Sequence, residues 1–383
     1  MYQLHRMVSI VLLILLALCI TPALGVVHRQ PSHVKSAYFY YGSEVRPTNI
    51  DTTLFTHLYY AFASLDPVTY EVKRASYDTS RSISTFSATV RASNPSLKTL
   101  LSIGGGGSDA TSFAAMAATR MGRAAFINSS ITVARSSGFD GLDLDWQFPQ
   151  SATDMANLAI LLKEWRKAAK KQSPPLLLTA AVYYNVTLRL DGLGARSYPT
   201  AAIASYLDWV TLMTYDLHGS WEKSQTAQHT ALYDNTTEQI LTVNYGVQQW
   251  LEAQLPPSSA LLGLAAYGYL WFLKDPKVHG VGAPTSDSDS AATFSSIQSD
   301  VRAAKGKCRV DKTTVAAYCY WTPPPGNTTL WAGFDNPTTI GNKVSYLRKR
   351  RLRGYSFWSI GEDTDNLLFK RGEVPILFHR ISA

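Results

Sequence analysis

The sequence lacks several patterns that would assign it to a class directly. Charged residues make up 17% and hydrophobic residues 46% of the 383, which excludes a disordered chain or a fibre. The glycine run 104–107 is not followed by the Gly-Lys-Ser/Thr of a phosphate-binding loop. His57, His218 and His229 have no metal-ligand spacing. We therefore expect a globular core with no cofactor and no metal.

The first 25 residues have the pattern of a secretory signal peptide. His5 and Arg6 precede the apolar run 8–20, and residues 23–25 offer small side chains at a cleavage site. A transmembrane anchor is the alternative, but this run is short for a bilayer, and no later segment has the roughly 20 apolar residues of a span. We expect the mature chain 26–383 to be extracellular and free of the membrane, with the vacuole as the alternative destination.

Cysteine is scarce, with three in the whole chain. Cleavage of the signal would remove Cys19 and leave Cys308 and Cys319. In an oxidising compartment this pair predicts one disulfide that closes a short loop, and two free thiols are the alternative.

The formal net charge is +8, and the densest basic run is 348–351, with Arg353 just beyond. This run closes a predicted helix, where positive side chains suit the negative end of the helix dipole. We interpret it as a solvated helix end and expect no nucleic-acid partner. The sequence does not fix the oligomeric state.

Short runs of apolar, β-branched or aromatic residues alternate with amphipathic stretches along the chain. They predict strands at 35–40, 56–62, 99–103, 141–146, 176–182, 209–214, 261–266 and 354–360. Eight is the number that a closed parallel barrel requires, so we predict a (β/α)8 (TIM) barrel. An open, doubly wound sheet is the alternative.

The clearest helix follows the fourth predicted strand. Ser151 is a suitable N-cap, Asp154 completes a relative of the capping box, and Pro174 and Pro175 stop the chain before the next strand. The predicted apolar stripe consists of Met155, Leu158, Leu162, Trp165 and Ala169.

About 85 residues separate the last two predicted strands, more than a simple crossover needs. We expect a small α+β insertion at about 270–340, closed by the helix that ends in the basic run. Four N-glycosylation sequons stand in the mature chain, at Asn128, Asn185, Asn235 and Asn327. Since Asn185 closes the fifth predicted strand, we expect a glycan there to crowd one end of the barrel mouth.

The densest chemical signal is the run 140–147, Asp-Gly-Leu-Asp-Leu-Asp-Trp-Gln. Alternation along a strand puts Asp143, Asp145 and Gln147 on one face, pointing into the barrel and towards its C-terminal mouth. Buried carboxylates are costly unless they share a proton or serve a ligand. A polar network that only fills the barrel is the alternative, and a calcium loop is disfavoured because the EF-hand pattern is absent.

The run resembles the Asp-x-x-Asp-x-Asp-x-Glu motif of family 18 glycoside hydrolases, with Asp140, Asp143 and Asp145 in place. Further matches follow in order at Ser102-Ile103-Gly104-Gly105, Met213-Thr214-Tyr215-Asp216 and Trp358. The likeness spans the mature chain and is greatest to plant class V chitinases.

This resemblance implies an aminosugar cleft in which the substrate's own acetamido oxygen attacks the anomeric carbon. It implies that Asp145 orients the acetamido group, that Asp143 shares its charge and proton, and that Tyr215 holds the acetamido oxygen. The implied walls of the cleft are Met213, Asp216 and Trp358, with Tyr40 and Phe62. Trp271 either stacks on a sugar further along the cleft or packs in the core of the insertion.

Gln147 stands where the family has its glutamic acid. The amide can still donate a hydrogen bond, but it releases no proton. Asp145 is too short to replace the acid, and we place Glu252 and Glu362 elsewhere in the barrel. The favoured hypothesis is a chitinase-like lectin that binds chitin or other N-acetylglucosamine oligomers. A weakly active chitinase and a protein-binding, inhibitor-like barrel are the alternatives.

Overall fold

The computed structural model describes residues 33–43, 45–74, 82–189, 192–234 and 240–372. At its centre is a barrel of eight parallel strands, and all eight predicted strands are confirmed. They are β1 (Val34–Tyr40), β2 (His57–Leu65), β4 (Lys98–Gly104), β5 (Gly141–Asp145), β6 (Leu177–Tyr183), β9 (Trp209–Met213), β10 (Ala260–Ala265) and β16 (Gly354–Ile360).

The barrel is closed by β1, which pairs in parallel with both β2 and β16. Ser36 is opposite His57 on one side and opposite Ser356 on the other. This double pairing excludes the open sheet that was the alternative. A short strand, β3 (Val72–Arg74), adds to β2 in antiparallel, and β7 (Thr187–Leu188) pairs with β8 (Arg196–Ser197) apart from the barrel.

Helices cover the outside of the barrel. They are α1 (Ser82–Ser93), α2 (Ala110–Ala118), α3 (Arg120–Ser136), α4 (Ala152–Ala169), α5 (Thr200–Tyr206), α6 (Val243–Glu252), α8 (Pro337–Lys349) and α9 (Leu367–Gly372). Short 3-10 turns occur at Pro47–Asn49, Thr52–Leu54 and Pro257–Ser259. Within the described ranges, no helix is both long and apolar enough to cross a membrane.

Helix α4 begins and packs as its sequence predicts. The Ser151 side chain accepts a hydrogen bond from the backbone N–H of Asp154 at 3.1 Å, and the Asp154 carboxylate accepts one from the backbone N–H of Ser151 at 3.0 Å. All five residues of the predicted apolar stripe are buried. Trp165 is fully buried and donates to Ser130 Oγ at 3.1 Å, which fixes α4 against α3.

The predicted insertion is a five-stranded antiparallel sheet with one helix, α7 (Phe294–Ala303). Its strands are β11 (Tyr267–Leu273), β12 (Thr285–Thr293), β13 (Lys307–Asp311), β14 (Ala316–Trp321) and β15 (Leu330–Phe334). Cys308 and Cys319 lie opposite each other on β13 and β14 and form the predicted disulfide, so the free-thiol alternative is wrong.

The basic run ends α8, as expected, but it is only partly solvated. Lys349 and Arg351 are exposed, whereas Arg350 donates to Asn244 at 2.8 Å. Arg353 lies beyond the helix with its guanidinium 4.9 Å from the centre of the Trp209 ring. The expected signal peptide, Cys19 and Asn235 lie outside the described residues.

Loss of the Ser151 cap should destabilise α4. We expect Ser151→Ala to lower the free energy of unfolding by about 1 kcal/mol, because the N–H of Asp154 loses its acceptor. Urea unfolding followed by circular dichroism measures the change. Ser136→Ala, at the exposed end of α3, is the control and should change it by less than about 0.5 kcal/mol. Equal effects of the two changes would contradict the capping role.

Candidate functional site

Strand β5 separates its polar and apolar side chains to opposite faces. Leu142, Leu144 and Trp146 are buried under the helices, and the Trp146 ring stacks 6.0 Å from that of Phe113 on α2. The aspartates therefore point into the barrel. Asp140, at the start of the motif, lies at the opposite end and forms ion pairs with Arg91 and Lys98.

Asp143 is the lower of the two inward carboxylates and has no exposed surface. It accepts hydrogen bonds from the hydroxyls of Tyr38 at 3.1 Å, Ser102 at 2.7 Å and Thr179 at 2.6 Å. Burial raises the pKa of Asp143 above its usual value, and the three hydrogen bonds oppose that increase. This carboxyl is held inside the barrel and does not line the cavity above it.

Asp145 is one step nearer the mouth and is 2% exposed. Burial raises its pKa to about 7, although a hydrogen bond from Gln147 Nε2 at 2.9 Å opposes the increase and Asp143 adds to it. Asp145 therefore exchanges a proton near neutral pH. A carboxyl in this state suits the role that the family resemblance implies for it.

Gln147 lies above Asp145 at the end of β5. Its Nε2 donates to Asp145 Oδ1 and lies 3.7 Å from Met213 Sδ. Its Oε1 lies next to Gly106. A Cβ added to Gly106 would be 3.3 Å from that oxygen. The amide is thus fixed at one end by Asp145 and has its oxygen beside the glycine turn.

The glycine turn permits this close approach. Gly104 has a φ of +116°, and an added Cβ would lie 2.2 Å from the Asp145 carbonyl oxygen. A Cβ on Gly105 would lie 2.5 Å from the Phe62 ring. Only glycine fits these two positions, which supports a tight βα turn against the cleft.

A cavity of about 690 Å³ opens at the mouth of the barrel. Eight of the predicted site residues line it, namely Tyr40, Phe62, Asp145, Gln147, Met213, Tyr215, Asp216 and Trp358. The Trp358 ring lies 5.6 Å from that of Phe62, nearly parallel to it, and 5.5 Å from that of Tyr38. These rings give the cavity an aromatic wall beside its polar groups.

The polar side of the cavity is built around Asp216. Its Oδ1 accepts from the hydroxyls of Tyr267 at 2.5 Å and Tyr269 at 3.1 Å. Burial raises the pKa of Asp216, but the hydrogen bonds that its carboxylate accepts outweigh that effect, so the pKa is lowered overall. Burial also keeps the Tyr215 hydroxyl protonated by raising its pKa.

The sequence analysis did not predict Tyr267 and Tyr269 as site residues. They are alternate residues of β11, directly after the seventh barrel strand, and the alternation Tyr-Gly-Tyr there was the available signal. His229 was interpreted as structural, and the structure places it against both tyrosines. Among the described residues, no cluster of three or more His, Cys, Asp or Glu side chains could hold a metal ion.

The structure decides between the two alternatives for Trp271 and corrects the expected place of Glu362. Trp271 is fully buried in the insertion, 5.5 Å from the Trp331 ring, and donates to the Glu222 carbonyl, so it offers no face to a sugar. Glu362 is not remote from the mouth, because its charge helps to raise the pKa of Tyr215 and the charge of Asp216 helps to raise its own pKa. Its carboxylate accepts from the backbone N–H of Ser359 at 2.5 Å and does not line the cavity.

The sequons differ in accessibility. Asn128 and Asn327 are exposed. Asn185 is 8% exposed, and its Oδ1 accepts from the backbone N–H of Thr187 at 2.9 Å. A glycan on Asn185 would need this side chain to leave its place, so the expectation of a glycan crowding the mouth finds no support at this position.

A (β/α)8 barrel with inward aspartates on its fourth strand, below an aromatic-walled cleft, has the architecture of a barrel glycoside hydrolase. The chain belongs to the glycosyl hydrolases family 18, whose family model matches residues 36–363. It is 40% identical over 344 residues to class V chitinase CHIT5a of Medicago truncatula, covering 87% of this chain and 86% of the relative.

Solved structures agree with this assignment. A Glu-to-Gln mutant of the class V chitinase of Nicotiana tobaccum, in complex with NAG4, has a TM-score of 0.83 and 36% identity and covers 89% of this chain and 98% of its own. The chitinase-like agglutinin RobpsCRA of Robinia pseudoacacia has a TM-score of 0.80 and 39% identity, with coverage of 88% and 98%. The fold is therefore shared by chitinases and an agglutinin.

The raised pKa of Asp145 predicts a pH-dependent stability effect. Between about pH 4 and 7 the folded protein keeps a proton that the unfolded chain has released, so this carboxyl costs stability as the pH rises through that window. Asp145→Asn removes the cost. We expect its gain in unfolding free energy to be larger at pH 8 than at pH 4.5, by roughly 3 kcal/mol.

Urea unfolding at the two pH values measures this difference. Asp109→Asn is the matched control, because Asp109 is an exposed helix cap and the hydrogen bond from Ser112 lowers its pKa. Its effect should be the same at pH 4.5 and pH 8. A gain for Asp145→Asn that does not change with pH would contradict the raised pKa.

Proposed function

We propose that this protein binds N-acetylglucosamine oligomers in the mouth cavity and is impaired in their hydrolysis. The observation that carries the proposal is Gln147, an amide at the position of the family's acid, in a cavity that seven other predicted site residues line. We further propose that the protein is exported. The Cys308–Cys319 disulfide supports this, because such bonds persist in oxidising compartments.

The chemical argument concerns the leaving oxygen of the sugar. Glycosidic cleavage requires a proton there, and a positioned acid contributes about 10²–10⁴-fold in rate. The Gln147 amide has hydrogens to donate but none to release. Its Nε2 is also engaged with Asp145, so the group that replaces the acid serves to keep the cavity in shape.

Other carboxyls of the cavity are poor substitutes for the missing acid. Asp109 and Asp216 have lowered pKa values and are ionised at neutral pH. Asp145 holds a proton near neutrality, but it lies below Gln147 and is bonded to it. Burial raises the pKa of Glu362 to about 7, yet its carboxylate is turned to Ser359 and is not part of the lining.

Binding is supported by the relatives. The similar Nicotiana tobaccum structure is a Glu-to-Gln mutant that holds NAG4, and a Cycas revoluta chitinase with a Glu-to-Gln change and a second substitution holds (GlcNAc)4. The Robinia pseudoacacia relative is named an agglutinin. These proteins support a cleft that retains oligomers when glutamine replaces glutamate.

A weakly active chitinase is the second candidate. It is favoured by the 40% identity to class V chitinases and by the two carboxyls, Asp145 and Glu362, that titrate near neutrality. The two candidates differ in turnover and agree on the ligand. Measurement of hydrolysis on the purified protein therefore decides between them.

Restoration of the acid should restore turnover. We expect Gln147→Glu to raise the hydrolysis of (GlcNAc)6 by about 10²–10⁴-fold, because the new carboxyl can protonate the leaving oxygen. Product chromatography measures the rate, and calorimetry measures the affinity of the unmodified protein. Gln150→Glu, the same chemical change on an exposed side chain beyond the strand, is the control and should stay inactive.

Two results would count against the proposal. Rapid hydrolysis by the unmodified protein would show that the amide does not impair it. Absence of detectable affinity at millimolar (GlcNAc)4 would remove oligomer binding.

The aromatic wall should contribute much of the affinity. We expect Trp358→Ala to weaken binding of (GlcNAc)4 by about 1–3 kcal/mol, since a sugar loses the face on which it packs. Trp271→Phe is the control, because that ring is buried away from the cavity. Calorimetry on both variants tests the difference, and equal losses of affinity would show that Trp358 is not a sugar-binding surface.

A further inference from the structure

His229 lies behind the polar side of the cavity and has no exposed surface. It belongs to the loop that follows β9 and is enclosed by the first strand of the insertion. Its ring centre is 5.0 Å from that of Tyr267 and 5.2 Å from that of Tyr269. The imidazole therefore contacts the two residues that bond the Asp216 carboxylate.

The hydrogen bonds of the ring define its tautomer. Nε2 lies 3.2 Å from the Tyr267 carbonyl oxygen, which can only accept, so Nε2 carries the hydrogen. Nδ1 lies 3.7 Å from Asp216 Oδ1, beyond hydrogen-bond distance, and in the neutral ring it has a lone pair. It accepts the backbone N–H of Asp216 at 3.4 Å, and the His229 carbonyl accepts the N–H of Leu217 at 3.1 Å.

Asp216 needs such support because its backbone is unusual. Its φ of 57° lies in the left-handed region, which non-glycine residues adopt only at a cost. Three hydrogen bonds hold it there. The Asp216 N–H donates to His229 Nδ1, the Tyr267 hydroxyl donates to Asp216 Oδ1, and His229 Nε2 donates to the Tyr267 carbonyl. They form a closed ring of hydrogen bonds through three residues.

We propose that His229 is a positioning residue that holds Asp216 in the orientation needed to bind the sugar, acting through its Nδ1 lone pair. This inference rests on the proposed function, since the affinity for N-acetylglucosamine oligomers is the quantity it controls. His229 does not line the cavity, so it acts through Asp216 and has no contact with the ligand.

Two substitutions separate positioning from simple packing. His229→Asn keeps an acceptor near the place of Nδ1, whereas His229→Gln keeps a donor near the place of Nε2 and loses that acceptor. Both remove a buried ring, so both should lower the melting temperature. We expect His229→Asn to bind (GlcNAc)4 within about twofold of the unmodified protein and His229→Gln to bind roughly tenfold more weakly.

Calorimetry with (GlcNAc)4 at 25 °C, on protein shown to be folded by circular dichroism, measures these affinities. His57→Gln is the matched control, because His57 packs on Trp209 at the opposite end of the barrel and should leave affinity unchanged. Equal affinities of the two His229 variants, or a loss in His229→Asn, would overturn the inference. If the unmodified protein binds no (GlcNAc)4, the proposed function fails instead.

Discussion

The site depends on the burial of two carboxyls inside a closed barrel. Closure turns alternate residues of β5 inward, where Asp143 and Asp145 lose almost all of their contact with water. Three hydroxyls from β1, β4 and β6 satisfy Asp143. Asp145 accepts a hydrogen bond from the amide of Gln147 and keeps its proton up to about pH 7. The buried carboxyls of Asp143 and Asp145 are therefore stable only with the hydrogen-bond partners that neighbouring residues and strands supply.

This constraint also explains how an amide fits at the position of Gln147. The amide and a protonated carboxyl have nearly the same shape, and both can donate to Asp145. Gln147 thus fills the position above Asp145, with its side-chain oxygen next to Gly106. Under the proposed function, this amide lowers turnover while the aromatic wall and the polar side of the cavity remain in place for recognition.

The insertion is part of the site as well as an appendage to the barrel. Its first strand supplies Tyr267 and Tyr269, whose hydroxyls meet on one oxygen of Asp216. The loop that carries His229 lies between that strand and the end of β9 and bonds to both. The polar side of the cavity is therefore held by contacts between the end of a barrel strand, the His229 loop and the insertion sheet.

The sequence by itself determined the features that follow from local periodicity. Alternation placed Asp143, Asp145 and Gln147 on one face, eight strand patterns predicted the barrel, and Ser151 marked the start of α4. Contacts between distant segments were decided by the tertiary structure alone. Trp271 became a core residue, Glu362 came near the mouth, and Tyr267 and Tyr269 met an aspartate more than 50 positions earlier in the chain. Periodicity records which face a side chain takes on its own strand, whereas its partners depend on how loops and sheets pack across the barrel mouth.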